Sequence, residues 1–328
     1  MTTPATAYSD NKPDPQVQYV LDLIGKKAYP DVSELSVAAA RALYAKTAVA
    51  LEAPPEAVFR VESRSLPGPA GVIPVRIYHP RDSLAAQPVL IWLHGGGFVI
   101  GGLDTADRLC RCLARQVDCV VVSVDYRLAP EHKFPAAVDD AYAALAWVTR
   151  HAAEIGGDPA RIAIGGDSAG ANLATVCAIL ARNAGLPPPI RQLLVYPGTA
   201  PVPESPSHAE FAEGYVLTRR AILWFYGHYL TSAADCRDFR YAPLLTPSLE
   251  SLPPALVIVA GCDPLRDEGL AYAERLQEAG NQVELLLCAG MTHGFLALSG
   301  VVDAAGDAIA QAIRFLHAGL ADAESSAA

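Results

Sequence analysis

Residues 161–182 read RIAIGGDSAGANLATVCAILAR. A short apolar run, 161–165, leads into Gly166-Asp167-Ser168-Ala169-Gly170, and a longer alanine-rich run, 169–182, leads out. The short run predicts a buried strand and the long one a helix. Between them the chain must reverse sharply. That demands an unusual backbone at Ser168 and flanking glycines where strand and helix pass close by. A G-x-S-x-G pentapeptide in this setting holds its serine hydroxyl at the top of a sheet, with the Ala169 N–H facing an incoming carbonyl.

The same alternation extends outward in both directions. Candidate strands cover 58–65, 75–79, 89–93, 119–125, 161–165, 192–196, 256–260 and 283–287. The central ones are apolar almost throughout, as in a parallel sheet covered on both faces. Helical patterns lie between them at 105–116, 138–154, 169–182, 268–278 and 307–317. The pattern predicts an α/β fold with a mostly parallel, doubly wound sheet of about eight strands. Residues 66–71, rich in Pro and Gly, read as the turn of an antiparallel edge hairpin. Two stretches break the alternation. Residues 16–52 are helical and amphipathic, with Val20, Leu21 and Ile24 on one face, and 201–240 follow a Pro-rich break and contain the aromatic run 222–229. They predict a helical cap built from segments 1–52 and 201–240 over a core formed by 53–200 and 241–328.

Composition narrows the function. With 52% hydrophobic and 18% charged residues in a chain of 328, the protein has ample material for a core and is not disordered. A formal net charge of −10 argues against nucleic acid or an anionic membrane as partner. The seven cysteines are odd in number and scattered from Cys110 to Cys288. Cys110 and Cys112, two apart on a predicted helix, face different ways, and no Cys/His spacing suits zinc, so no metal site is expected. Unpaired thiols suit a reducing compartment. Residues 1–16 lack the apolar core of a secretory signal, and no apolar run reaches the length of a membrane span. A cytoplasmic protein without membrane attachment is expected.

A serine hydroxyl needs an adjacent base to attack anything at neutral pH. Of eight histidines, His293 lies in a glycine-flanked loop, Gly290-Met291-Thr292-His293-Gly294, just after the last apolar strand. His94 is its rival but belongs to His94-Gly95-Gly96-Gly97-Phe98, which follows the strand 89–93. For the acid that orients the base, Asp263 closely follows the strand 256–260, whereas Asp267 reads as the N-cap of the helix 268–278. The order Ser…Asp…His, each member after a strand end, is that of the α/β-hydrolase triad. Bare N–H groups in the glycine run supply an oxyanion hole together with Ala169. A phosphate cradle is the competing reading of that run, but no G-K-[ST] or G-x-G-x-x-G pattern accompanies it. Phe98, Tyr196, Tyr215 and Trp224 are candidate pocket walls, with core packing as the alternative.

These elements together resemble the hormone-sensitive-lipase-like (bacterial family IV) esterases. The similarity runs over about residues 30–318 and includes Asp125-Tyr126-Arg127-Leu128-Ala129-Pro130-Glu131, for which structural support beneath the site is expected. The resemblance implies an α/β-hydrolase fold and Asp263 as the triad acid. It implies Gly96 and Gly97 as oxyanion donors with Ala169, and Asn172 as the asparagine of the motif. It further implies an N-terminal helical cap, no metal or cofactor, and a small-molecule ester substrate of short to medium acyl chain. Many such esterases pair through the last strand and helix, which here implies a homodimer through 283–287 and 307–317. Ala171 departs from the glycine common at that position and touches helix packing alone. A small-molecule receptor on the same fold is the alternative from another class; related receptors have lost the histidine that this chain keeps as His293. An amidase with the same triad is the nearest enzymatic alternative.

Overall fold

The computed structural model describes residues 12–325, so 1–11 of the expected N-terminal segment and 326–328 lie outside the described residues. Eight strands form one sheet: β1 (Arg60–Gly68), β2 (Gly71–His79), β3 (Gln87–Leu93), β4 (Val120–Val124), β5 (Gly157–Asp167), β6 (Arg191–Val195), β7 (Ala255–Cys262) and β8 (Val283–Thr292). The nine helices among the described residues, 3₁₀ turns aside, are α1 (Pro15–Lys27), α2 (Val37–Thr47), α3 (Asp107–Val117), α4 (Ala136–His151), α5 (Ala169–Ala184), α6 (Pro206–Glu210), α7 (Arg219–Tyr229), α8 (Arg266–Glu278) and α9 (Asp303–Ser325). The sheet order is β1-β2-β4-β3-β5-β6-β7-β8, antiparallel across β1–β2 and β2–β4 and parallel from β4 to β8.

Each strand divides its side chains between two cores by the two-residue period of the pleat. In β3, Val89, Ile91 and Leu93 enter the core shared with α4, α5 and α8, while Leu90 and Trp92 enter the one shared with α1, α3 and α9. All five are at most 1% exposed, and each burial contributes about 1.5–3 kcal/mol. The chain leaving β3 passes to α3 on one face, and the chain leaving β5 passes to α5 on the other. The loops after these two strands thus leave toward opposite faces at the carboxyl ends, the place where open α/β sheets bind ligands.

One expectation is corrected. Residues 66–71 are not all turn: the ladder runs on through Leu66↔Ile73 to Gly68↔Gly71, leaving Pro69 and Ala70 to make the reversal. Leu66 and Ile73 are both nearly fully buried, so their packing extends the strands into the turn-prone stretch. Pro67 is tolerated because β1 is an edge strand.

The segments outside the alternation pack as follows. In α1, Val17 and Val20 are buried beside α9, with Leu21 and Ile24 partly buried on the same core, and the Asp14 N–H donates to the Gly290 carbonyl at 3.0 Å. In α2, Arg41 donates to the carbonyls of Val99 and Ala129, each at 2.9 Å, and holds both oxygens of Glu131 at 2.8 and 2.7 Å. The two segments also touch each other, since Thr218 at the N-cap of α7 donates to Asp31 at 2.6 Å. At the far end of α7, Lys133 donates to the carbonyls of Gly227 and Leu230.

Residues 125–131 support the site from beneath. The Tyr126 hydroxyl donates to the His94 carbonyl at 2.6 Å, and Arg127 makes a two-pronged pair with Asp140, whose side chain is 2% exposed. Removing the cation strands a buried charge. Arg127→Leu is therefore expected to cost about 3 kcal/mol in urea unfolding, and Asp140→Leu added to it should restore most of the loss. Additive losses in the double variant would refute the pairing.

Candidate active site

The turn after β5 sets the geometry. Ser168 sits at φ 55°, ψ −119°, a conformation that side chains rarely adopt, and its N–H donates to the Val195 carbonyl at 2.8 Å. The turn is so tight that a Cβ on Gly170 would stand 1.9 Å from the Leu93 carbonyl oxygen. Only glycine fits there.

Three strand-end loops then meet. The Ser168 Oγ lies 2.9 Å from His293 Nε2, and His293 Nδ1 lies 2.7 Å from Asp263 Oδ2. A carboxylate only accepts, so Nδ1 carries the proton and Nε2 is left to accept from the serine hydroxyl. Asp263 is fully buried and His293 is 9% exposed. The second Asp263 oxygen accepts the Leu265 N–H at 2.9 Å. Tyr196 leans on the imidazole, ring centroids 4.8 Å apart.

Asp267 is not the N-cap. It lies in the first turn of α8, where its Oδ2 accepts the Ser207 N–H at 2.8 Å; Leu265 holds the cap position. His94, the rival base, has partners other than Ser168. It is buried, stacks on Tyr126 at 4.3 Å, and places Nδ1 2.7 Å from the Gly95 carbonyl oxygen. Burial pushes it down to about 4, so it stays neutral.

In the glycine run, the Gly95 N–H donates to Asp167 Oδ1 at 2.9 Å, whereas the amides of Gly96 and Gly97 meet no acceptor among the described residues. Gly96 and Gly97 take φ +118° and +58°. The Ala169 N–H opens α5 and has no acceptor within the helix. Asn172 donates from its side chain to the carbonyls of Gly198 at 2.8 Å and Tyr241 at 2.7 Å, tying α5 to the chain after β6.

The four expected pocket walls divide. Tyr196 borders His293. Phe98 is 7% exposed and stacked at 4.0 Å on Tyr229, so it packs in the core. Tyr215 lies edge-on to Phe211, and Trp224 packs against Phe225 and His228; both are partly exposed. Phe225 escapes a sequence reading. A Cβ on Gly97 would stand 2.4 Å from its ring, so Phe225 lies directly on the glycine run. Its place in an aromatic helix, Leu223-Trp224-Phe225-Tyr226, carries no mark that distinguishes it from its neighbours.

Against this geometry, the α/β hydrolase fold family matches residues 90–297. The chain is 50% identical to carboxylic ester hydrolase LipN of Mycobacterium tuberculosis over 73% of its own length and 65% of LipN's. It is 43% identical to carboxylesterase NlhH of the same organism over 97% of this chain and the whole of NlhH. Among solved structures, an α/β hydrolase enzyme from the metagenome of Lake Arreo, Spain, superposes with TM-score 0.90 at 40% identity, covering 94% of this chain and 99% of its own. The chain is an α/β hydrolase and belongs to the hormone-sensitive-lipase-like branch of that family.

Asp167, beside Ser168 in the turn, gives a pH test. Burial raises it from 3.8 to about 6, against the pull of the Gly95 amide and of His293. The folded protein thus holds this proton more tightly than the unfolded chain. Its contribution favours folding below pH 3.8 and is lost as the pH rises through about 6. Asp167→Asn removes the titration. Relative to the parent, the variant's urea midpoint should therefore be higher at pH 8 than at pH 4; a difference independent of pH would refute the assignment.

Proposed function

We propose that the protein is a serine carboxylesterase in which Ser168 is the nucleophile, His293 the general base and acid, and Asp263 the residue that orients His293. The observation that carries this reading is the unbroken hydrogen-bonded series from Asp263 through His293 to Ser168, at 2.7 and 2.9 Å. Carboxylesterase relatives at 43–50% identity support the reaction class.

In the reaction, Ser168 Oγ attacks the ester carbonyl while His293 Nε2 takes its proton. Asp263 stabilises the imidazolium that forms. The developing oxyanion is held by the N–H groups of Gly96, Gly97 and Ala169. Losing one such donor typically costs about a hundred- to a thousandfold in rate. His293 then returns the proton to the leaving alcohol. Water attacks the acyl-enzyme by the same steps in reverse and frees the acid.

Residues 12–52 and 201–240 serve as the cap, joined through Asp31 and Thr218 and clamped to the core by Arg41 and Lys133. Tyr196, Tyr215 and Trp224 wall the substrate crevice, with Phe225 over the oxyanion loop. The substrate is a small ester of short to medium acyl chain. Free thiols at all seven cysteines support a cytoplasmic location, and no described helix is long and apolar enough to cross a membrane. The edge strand β8, with Leu285 42% exposed, supports pairing of two copies through β8 and α9.

Ser168→Ala is expected to lower p-nitrophenyl butyrate hydrolysis by about a millionfold with an unchanged circular-dichroism spectrum. Retained hydrolysis would overturn the nucleophile assignment. Across p-nitrophenyl esters, kcat/KM should peak at short to medium acyl chains and fall for long ones; a maximum at long chains would overturn the substrate class.

A further inference from the structure

Asp263 stands on a short connection between β7 and α8, and a five-residue helix of the cap insertion grips that connection from outside. The Ser207 hydroxyl, in α6, donates to the Pro264 carbonyl at 2.6 Å, with Ser207 fully buried. The carbonyl of Pro264 and the N–H of Leu265 belong to one peptide plane, which is rigid. That same N–H donates to Asp263 Oδ1 at 2.9 Å. One plate thus carries the serine's grip on one edge and the aspartate on the other. From there the series continues through Asp263 Oδ2 to His293 and Ser168.

The neighbouring contacts make α6 a firm anchor. Asp267 accepts the Ser207 N–H at 2.8 Å and returns its own N–H to Ser207 Oγ at 3.3 Å. His208 and Glu268, each side chain 1% exposed, meet at 3.0 Å, and Glu268 also accepts the Thr199 amide at 2.6 Å. A helix this short does not persist on its own hydrogen bonds. Its contacts with residues 264–268 hold it, and by the same bonds it holds them.

We infer that Ser207 is a positioning residue for Asp263: its hydroxyl fixes the Pro264–Leu265 peptide plane and thereby aims the carboxylate at His293. The inference rests on Asp263 as the triad acid, which Asp263→Asn tests separately. If Asp263→Asn keeps full activity, that reading fails; if it loses activity while Ser207 variants do not, only the positioning role fails. Ser207→Ala is expected to lower kcat for p-nitrophenyl butyrate about tenfold, the effect of one lost hydrogen bond. KM should stay within about twofold, since no substrate contact is removed. In the proton NMR spectrum, the downfield signal of the His293 Nδ1–H should shift or broaden. Ser207→Cys, a weaker donor of similar size, should fall between parent and alanine variant, and it reads the same quantities if the alanine variant fails to fold. Parental kcat in these variants, or a fall in kcat with the Nδ1–H signal unmoved, would overturn the inference.

Discussion

The left-handed turn at Ser168 is the constraint on which the remaining geometry depends. A residue held in that region costs on the order of 1–3 kcal/mol, and it persists only where its surroundings leave no alternative. Here the surroundings are specific. The Leu93 carbonyl of β3 lies where a Gly170 side chain would be, and the Val195 carbonyl of β6 accepts the Ser168 N–H. Strands on both sides of β5 thus hold the turn. The hydroxyl therefore stands at the carboxyl end of β5, beside the end of β3.

What surrounds the turn is organised to need little rearrangement when charge develops. The glycine run is tied to Asp167, the neighbour of Ser168, through its first amide, while the next two amides meet no acceptor among the described residues. Tyr126 holds the His94 carbonyl from below, and Arg41 holds the Val99 carbonyl from the side of α2. Helix α2 therefore braces the chain just after the glycine run. Donors fixed before the reaction begins are worth more than donors that must be recruited during it.

Much of this was legible in the residues, and the parts that were not share a cause. Strands β2 to β8 carry apolar runs that mark them, whereas β1, RVESRSLPG, is largely polar; chain order together with strand-end position points to three side chains that do meet in space. Local chemistry misled where tertiary packing outweighed it. The Pro- and Gly-rich 66–71 looked like a turn, yet burial of Leu66 against Ile73 extends the ladder through it. Asp267 had the look of a helix cap, but the Ser207 amide from a distant segment claims its carboxylate. For Phe98 the sequence leaves pocket wall and core packing both open; its ring, stacked on Tyr229 at 4.0 Å with the residue at φ 64°, takes the core. Ser207 and Phe225 carry no motif at all. Their importance comes from contacts across 57 residues in one case and with a bare glycine backbone in the other.

The serine and histidine are 125 residues apart in the chain, and the aspartate precedes the histidine by only 30. In a polypeptide made from its N-terminus, the elbow and the glycine loop emerge while β7 and β8 are still unsynthesised. The hydroxyl of such an intermediate has neither base nor acid beside it. With the triad proposed above, hydrolytic competence arrives with the last two strands, and a chain released early carries an intact signature motif that is chemically silent.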